Sequence, residues 1–343
     1  MKRILALLLL FPAIALGQDL SAKYISALNE GGAGLARGMV LHAPFDDPAS
    51  PLKVYAGSAP TFTRAHDATH TATYVHPTTG LVTAASADQL RIEATGALVE
   101  VASANLYARS AQFDNTTIWT QNASRVVADN AIAPDGTLSA EKFVADGTND
   151  YHRITFSVTV VDQDSMTVSV YAKKSGDESR YLIILQYDNA GHVSRFDLQL
   201  GTVTACAAGF TCGIASAPNG FYRAWSKSVA NGGTTLAGAI MLTDRDSYAS
   251  YPGDNTAGGW LWGAQMEKGA LSSYIPSVAT AMSRNADALT LPTIVSPGTA
   301  IATVDGVRQQ ITYSTFNPIG HRTKEMRVWS RTLSASEVSI LAP

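Results

Sequence analysis

The chain has 343 residues, room for two ordinary domains or for one large β-sandwich with an appendage. Apolar residues make up 46% and charged residues 15%, which sets aside a disordered chain. A formal charge of −3 with no basic run sets aside nucleic-acid binding, where phosphate contacts need clustered Lys and Arg.

The N-terminus reads as a secretory signal over residues 1–17. Lys2 and Arg3 precede the apolar run Ile4 to Phe11, Pro12 interrupts it, and Ala15-Leu16-Gly17 supplies small residues for cleavage before Gln18. The run is shorter than the ~20 residues a transmembrane helix needs, and no later segment reaches that length. Gln18, not Cys, stands directly after the cleavage point, which argues against a bacterial lipid anchor. The expected location is therefore the periplasm or the outside of the cell. Loss of Lys2 and Arg3 takes the formal charge from −3 to −5. Residues 18–37 read as a leader, with DLSAKYISALNE suited to a short helix and GGAGLARG to a linker.

From residue 38 to 103 short alternating stretches begin: MVLHAPFDD, APTFTRA, TATYVH, GLVTAA, QLRIEA and ALVEVAS, each bounded by Gly, Pro, Asp or Ser. Residues 104–287 carry stronger strand candidates: RITFSVTVV, MTVSVYAKK, RYLIILQYD, HVSRFDLQ, YRAWSKSVA, TTLAGAIML and GWLWGAQMEKG. Regular strands without helical patterns between them predict an all-β chain built as an antiparallel β-sandwich of the jelly-roll kind. Residues 288–343 add LTLPTIV, TAIATVDG, RQQITYST and EMRVWSR, then LSASEVSILA as one or two helical turns. The only cysteines are Cys206 and Cys212. In an oxidising compartment, a hairpin centred on Gly209 places them opposite each other for a disulfide; the alternative is two half-buried thiols.

Within residues 105–143, Asn105-Leu106, Ser110 to Asn115, Trp119, the turn Ala133 to Thr137 and Ala140 to Lys142 form a pattern. It continues in SVYAKKSG at 169–176, GTVT at 201–204 and NGFYRAW at 219–225, and closes in GWLWGAQMEKGALSSYIPSVATAMSRNAD at 259–287. This stretch resembles the carbohydrate-binding-module-like jelly-rolls of phage tail and other virion-associated proteins. FTRAHDATHTATYVHPTTGLVTAASADQLRIE resembles the lead-in of those proteins. GMVLHAPFDD and EMRVWSRTLSASEVSILA resemble the first and last elements of laminin-G/concanavalin-like domains, whose terminal strands lie side by side. The resemblance thus implies a second, discontinuous or incomplete sandwich made of 38–103 with 288–343. It also implies a structural calcium where the first and last jelly-roll strands meet, with Asp114 and Glu267 as oxygen ligands.

Signatures of nucleophilic, phosphate-binding and zinc chemistry are absent: there is no G-x-S-x-G, G-x-x-x-x-G-K-[ST], H-E-x-x-H or G-x-G-x-x-G. Asp46, Asp47, Asp162 and Asp164 are scattered, and no pair is marked as a glycosidase couple. His66, His70 and His76 read as loop histidines rather than a metal site. Aromatic residues are the candidates for sugar stacking. Trp260 and Trp262 share one face of a strand, as core or as a platform. Tyr248 and Tyr251, in the polar loop DRDSYASYPGDN, are the stronger candidates for a ligand.

The expectation is an exported or virion-associated, non-catalytic adhesion or structural protein that recognises a surface glycan. Like subunits or other virion proteins are further expected partners. A tail component without a sugar ligand and a secreted polysaccharide-active enzyme stand as alternatives.

Overall fold

The computed structural model describes residues 39–45, 57–65, 72–229, 232–256, 258–295, 297–329, 332–333 and 335. The signal and leader expectations, Asp46, Asp47, His66, His70 and nearly all of LSASEVSILA lie outside the described residues. Strands are numbered here in chain order, and the chain is all-β. Among the described residues no helix is long and apolar enough to cross a membrane.

Two six-stranded antiparallel sheets stack as a sandwich. The first runs β8 (Thr120–Asn122), β12 (Arg153–Thr159), β19 (Thr235–Thr243), β14 (Tyr181–Tyr187), β15 (Gly191–Asp197) and β16 (Thr202–Ala205). The second runs β9 (Ser124–Ile132), β10 (Leu138–Ala145), β21 (Gly258–Lys268), β13 (Met166–Lys174), β18 (Tyr222–Lys227) and β17 (Thr211–Ser216). The chain crosses repeatedly between the two, as jelly-rolls do. Period-two alternation sends Ile154, Phe156, Leu182, Ile184, Ile240 and Leu242 of the first sheet against Val168, Val170, Ala172, Leu261 and Met266 of the second. Trp119 lies buried among them, its ring 4.9 Å from both Tyr107 and Phe113, and its indole N–H donates to the Arg109 carbonyl at 3.0 Å.

A bulge interrupts the pairing of β13 with β21. Ser169 pairs with Gln265 but Tyr171 pairs with Trp262, so β21 spends one extra residue there. Gly263 sits at the extra position with φ +57°, and a Cβ would lie 3.0 Å from the Tyr171 ring. The bulge resets the alternation: Trp260, Trp262, Gln265 and Glu267 face outward, while Leu261, Ala264 and Met266 face the core.

The chain leaves the first sheet at β16 and enters the second at β17. The turn between them is closed by the disulfide Cys206–Cys212, with Cα atoms 5.8 Å apart. The hairpin geometry expected for the two cysteines is corrected on this point: β16 and β17 belong to different sheets, and the bridge staples the sandwich edge rather than one ladder. Closing so short a loop restricts the unfolded chain by about 2 kcal/mol. Replacing both cysteines by Ala should lower the unfolding free energy by that amount in urea titration and leave the native fold intact.

A third sheet joins the two ends of the described chain. β1 (Met39–Pro44) pairs antiparallel with β26 (Arg322–Trp329), and the sheet continues through β24 (Ala300–Val304) to β25 (Val307–Ile311) on one side of β26, and through β6 (Gly96–Leu98) to β5 (Arg91–Glu93). Leu41, Ala43, Ala302, Met326 and Val328 form its apolar face. Phe62 of β2 (Thr61–Thr63), Leu289 of β23 (Ala288–Thr290) and Phe316 cover that face. Among the described residues this second unit is one sheet closed by a ribbon and loops, not two full sheets.

The sandwich is inserted into this unit through a neck, where β7 (Ser103–Asn105) pairs with β22 (Met282–Arg284). A buried ionic cluster closes the neck. Asp287 accepts from Arg64 Nη1 at 3.0 Å, from Arg91 Nη2, and from the Glu100 N–H at 2.8 Å. Glu100 in turn pairs with Arg91 at 2.7 Å and Arg284 at 3.0 Å, and accepts from both the N–H and the hydroxyl of Ser273. Arg91 and Arg284 hold the Glu100 carboxyl below its ordinary range despite its burial. Removing one member leaves buried charge without a partner, which costs about 3–5 kcal/mol. Asp287→Ala should therefore destabilise the protein by that amount in urea titration, far more than a substitution of an exposed aspartate.

Candidate functional site

The outer face of the first sheet is set by the same alternation that builds the core. Residues at odd positions on β12, β14, β15 and β19 point away from the sandwich. One transverse row across four strands reads Arg195, Ile183, Met241 and Arg153, by the pairings of β15 with β14, β14 with β19, and the position adjoining Ile154–Ile240. The next row reads Val193, Leu185, Ala239 and Thr155, and a third contains Tyr187 and Ala237.

The loop after β19 folds over the first row. Tyr248 packs with Val193 on the buried cluster of Ile183 and Met241, and Arg195 donates to the Asp246 carbonyl. Thr204 fixes the Asp246 carboxylate at 2.6 Å. Tyr248 lies against Tyr151, ring centroids 4.8 Å apart, and Arg153 donates to the Tyr248 hydroxyl while its guanidinium sits 5.6 Å from the Tyr151 ring centre. Tyr151, Arg153 and Tyr248 are half-buried. Tyr187, 51% exposed, stands at the far end of the same face, four residues or about 13 Å along β14 from Ile183. Between the two aromatic ends lies a shallow floor of Leu185, Ala237, Ala239 and Thr155.

Tyr251 does not share this position. It is 7% exposed, heads the short strand β20 (Tyr251–Pro252) paired with β11 (Asn149–Asp150), and donates its hydroxyl to the Leu242 carbonyl at 2.9 Å. Burial raises its pKa, and its ring meets that of His152 edge-on at 4.4 Å. As a ligand contact it is corrected to a core residue.

Trp262, 4% exposed, is likewise core. It packs on Tyr171 and Tyr274, under the hairpin of β3 (Thr73–Val75) and β4 (Val82–Ala84), with its indole N–H on Ser139 at 3.1 Å. Trp260 is half-buried two residues along, its indole N–H on Asn130 at 3.0 Å and Lys173 Nζ 5.5 Å from its ring centre. The structure thus divides the four expected aromatics: Tyr248 and Trp260 reach solvent, on different sheets, whereas Tyr251 and Trp262 do not.

Asp114 and Glu267 are not brought together. Asp114 is exposed beside Glu141 of β10, whose carboxylate accepts the Asp114 N–H at 2.9 Å. Glu141 pairs across to Leu261, six residues or about 20 Å along β21 from Glu267. Glu267 is fully buried and accepts from Ser103 Oγ, Gln265 Nε2 and both donors of Ser272. Its role is to fasten the 272–275 segment to β21, with Gln265 accepting from the Ile275 N–H at 2.7 Å. Among the described residues no three of His, Cys, Asp and Glu cluster as a cation site. His76 accepts the N–H groups of Thr78 and Thr79 in its own turn.

Burial, and then the charge of Asp114, push Glu141 up to about 8. A carboxyl whose folded pKa is raised holds its proton in the native state, so its stabilising share is complete below about 4.5 and lost as pH climbs to about 8. Glu141→Gln should remove this loss. The variant should gain on the parent between pH 5 and pH 8, by on the order of 3 kcal/mol at the top of the window, read from urea midpoints across pH.

A second concavity, about 660 Å³, lies between the third sheet and the sandwich, with Tyr74, Glu93, Tyr171, Arg223, Tyr274 and Arg322 in its walls. Its charges are engaged within the protein: Glu93 with Arg322 at 2.5 Å, Arg223 with the Ser272 carbonyl at 2.8 Å and Ser169 at 3.1 Å. It is a junction held by internal contacts. The face of the first sheet keeps aromatic and polar groups turned to solvent.

Tyr151, Arg153 and Tyr187 were not singled out from the sequence. The strand RITFSVTVV shows its alternation plainly, and Arg153, Thr155 and Ser157 fall on its polar side. In RYLIILQYD both faces are apolar, which hides that Tyr187 points outward. No known protein family matches the chain, and no curated protein is significantly similar to it. The family resemblance therefore rests on the quoted motifs alone.

Proposed function

We propose that the protein is a non-catalytic glycan-recognition protein, and that the outer face of the first sheet is where the glycan lies. The observation that carries this reading is the pairing of half-buried Tyr151 and Tyr248 at one end of an open, small-residue floor, with exposed Tyr187 at the other. Sugar rings present C–H faces that stack on aromatic rings, and hydroxyls that need polar groups beside them. Thr155 and Arg153 supply those polar groups. The small side chain of half-buried Ala237 lets an extended chain approach the sheet closely there. An exported or virion-borne adhesin is the setting this reading suits, with like subunits as further partners.

Binding to a glycan array by the chain from Gln18 tests the reading. Tyr187→Ala should weaken binding at least tenfold while leaving the melting temperature nearly unchanged; Tyr248→Ala should weaken it as much and also lower the melting temperature, since its ring packs on Ile183 and Met241. Tyr251→Ala should instead destabilise the fold by about 3 kcal/mol or more, the cost of emptying a buried aromatic site. A folded protein that binds no glycan would return the protein to a purely structural role, and glycan binding that ignores both tyrosines would move the site off this face.

A further inference from the structure

Arg153 differs from three other arginines of the sandwich, Arg180, Arg195 and Arg245, in lacking a carboxylate beside it. Arg180 is held by Asp197 at 2.6 Å, Arg195 lies 3.7 Å from Asp246, and Arg245 lies 3.3 Å from Asp244. Among the described residues Arg153 has no carboxylate partner. Its contacts are the Tyr248 hydroxyl and the Tyr151 ring, and its Nε–H is buried without an acceptor. The acidic groups nearest in the chain are engaged elsewhere. Asp150 accepts the Tyr151 N–H at 2.6 Å, and Asp146 accepts the Thr148 N–H at 2.9 Å and lies 3.7 Å from His152.

The planar fork of a guanidinium matches a carboxylate. Held here by Tyr248, it is oriented without being neutralised. The partial burial that leaves its Nε–H unsatisfied also weakens the competition from water, so an anion placed there is bound more strongly than at a solvated arginine. The two rings beside it occupy the position at which a sugar would stack. Carboxylate and sugar ring are thus asked for side by side, the combination that a uronic acid carries.

We infer that the glycan taken by this face is acidic, a uronic-acid-containing chain whose carboxylate sits on Arg153 while its ring stacks on Tyr248. This rests on the reading of the face as a glycan site. No bond is made or broken. Arg195, three strands away in the same row or about 14 Å, already lies by Asp246, so the structure provides one anion position and not a continuous basic track.

The test is calorimetric titration of the chain from Gln18 with oligogalacturonate, oligoglucuronate and alginate oligomers, each beside its carboxyl-reduced counterpart, at low and physiological salt. At least one acid oligomer should bind tenfold or more tighter than its reduced form, with the difference shrinking as salt rises. Arg153→Gln should abolish that difference and keep the weaker binding of the reduced oligomer. Tyr248→Ala should weaken both forms, the acid form more, since the Tyr248 hydroxyl also orients Arg153. Reduced and acid oligomers bound equally well, through Tyr248, would overturn this inference and leave the glycan reading standing. An acid preference that survives Arg153→Gln would also overturn it. Failure of every oligomer, acid or neutral, to bind a folded protein would remove the inference together with the reading beneath it.

Discussion

The carboxylate of Asp287 is the point on which the architecture turns. It comes after the whole sandwich has been built, yet it receives arginines from positions 64 and 91, laid down before the sandwich begins. Glu100 and Arg284 extend the same cluster across the strands by which the sandwich is entered and left. Such a cluster adds little net stability compared with a well-packed apolar substitute, but it tolerates few alternative arrangements. Its value lies in register. The ribbon β2–β23, the neck β7–β22 and the third sheet all have to arrive in one alignment for three arginines and two carboxylates to meet.

A second layer of buried polar groups repeats this logic inside the sandwich. Asn105 donates to the carbonyls of Ala264 and Ile275, both at 2.9 Å, and accepts from the N–H groups of Tyr107 and Met266. Gln265 and Glu267 then tie the following segment to the outer side of β21. Every one of these atoms would be costly unpaired, so the opening and closing strands of the sandwich are locked to each other at the bulge around Gly263. The face on the opposite sheet takes no part in this locking.

Much of the architecture was legible in the sequence because strands with one buried side alternate. The stretches RITFSVTVV, MTVSVYAKK and GWLWGAQMEKG each coincide with a strand. The bulge was not legible, since a lone Gly263 in an apolar run does not announce a change of phase, and with it went the meaning of Gln265 and Glu267. Both stood out as parts of a motif, but their partners Ser103, Ser272 and Ile275 are identified only by three-dimensional proximity. The same limit governed the loop tyrosines. Tyr248 and Tyr251 are three residues apart in one polar stretch; only the two-residue pairing with Asn149–Asp150 turns one inward and leaves the other on the surface. Asp114 was placed with Glu267 because both read as parts of terminal strands; Asp114 instead lies in a turn beside Glu141, and the pairing of Glu141 with Leu261 shows how far that turn is from Glu267.

The antiparallel pairing of β1 with β26 has a mechanical consequence. Met39 lies opposite Trp329, so the outermost residues of the two strands sit at the same end of the ladder. Tension drawn between them would open that ladder one rung at a time, as a zip, instead of loading all its rungs together. The neck would pass the remaining pull directly from β7 to β22 through the ions around Asp287. The sandwich beyond it would hang outside the line of force, and its far sheet would feel the strain only after the neck had parted.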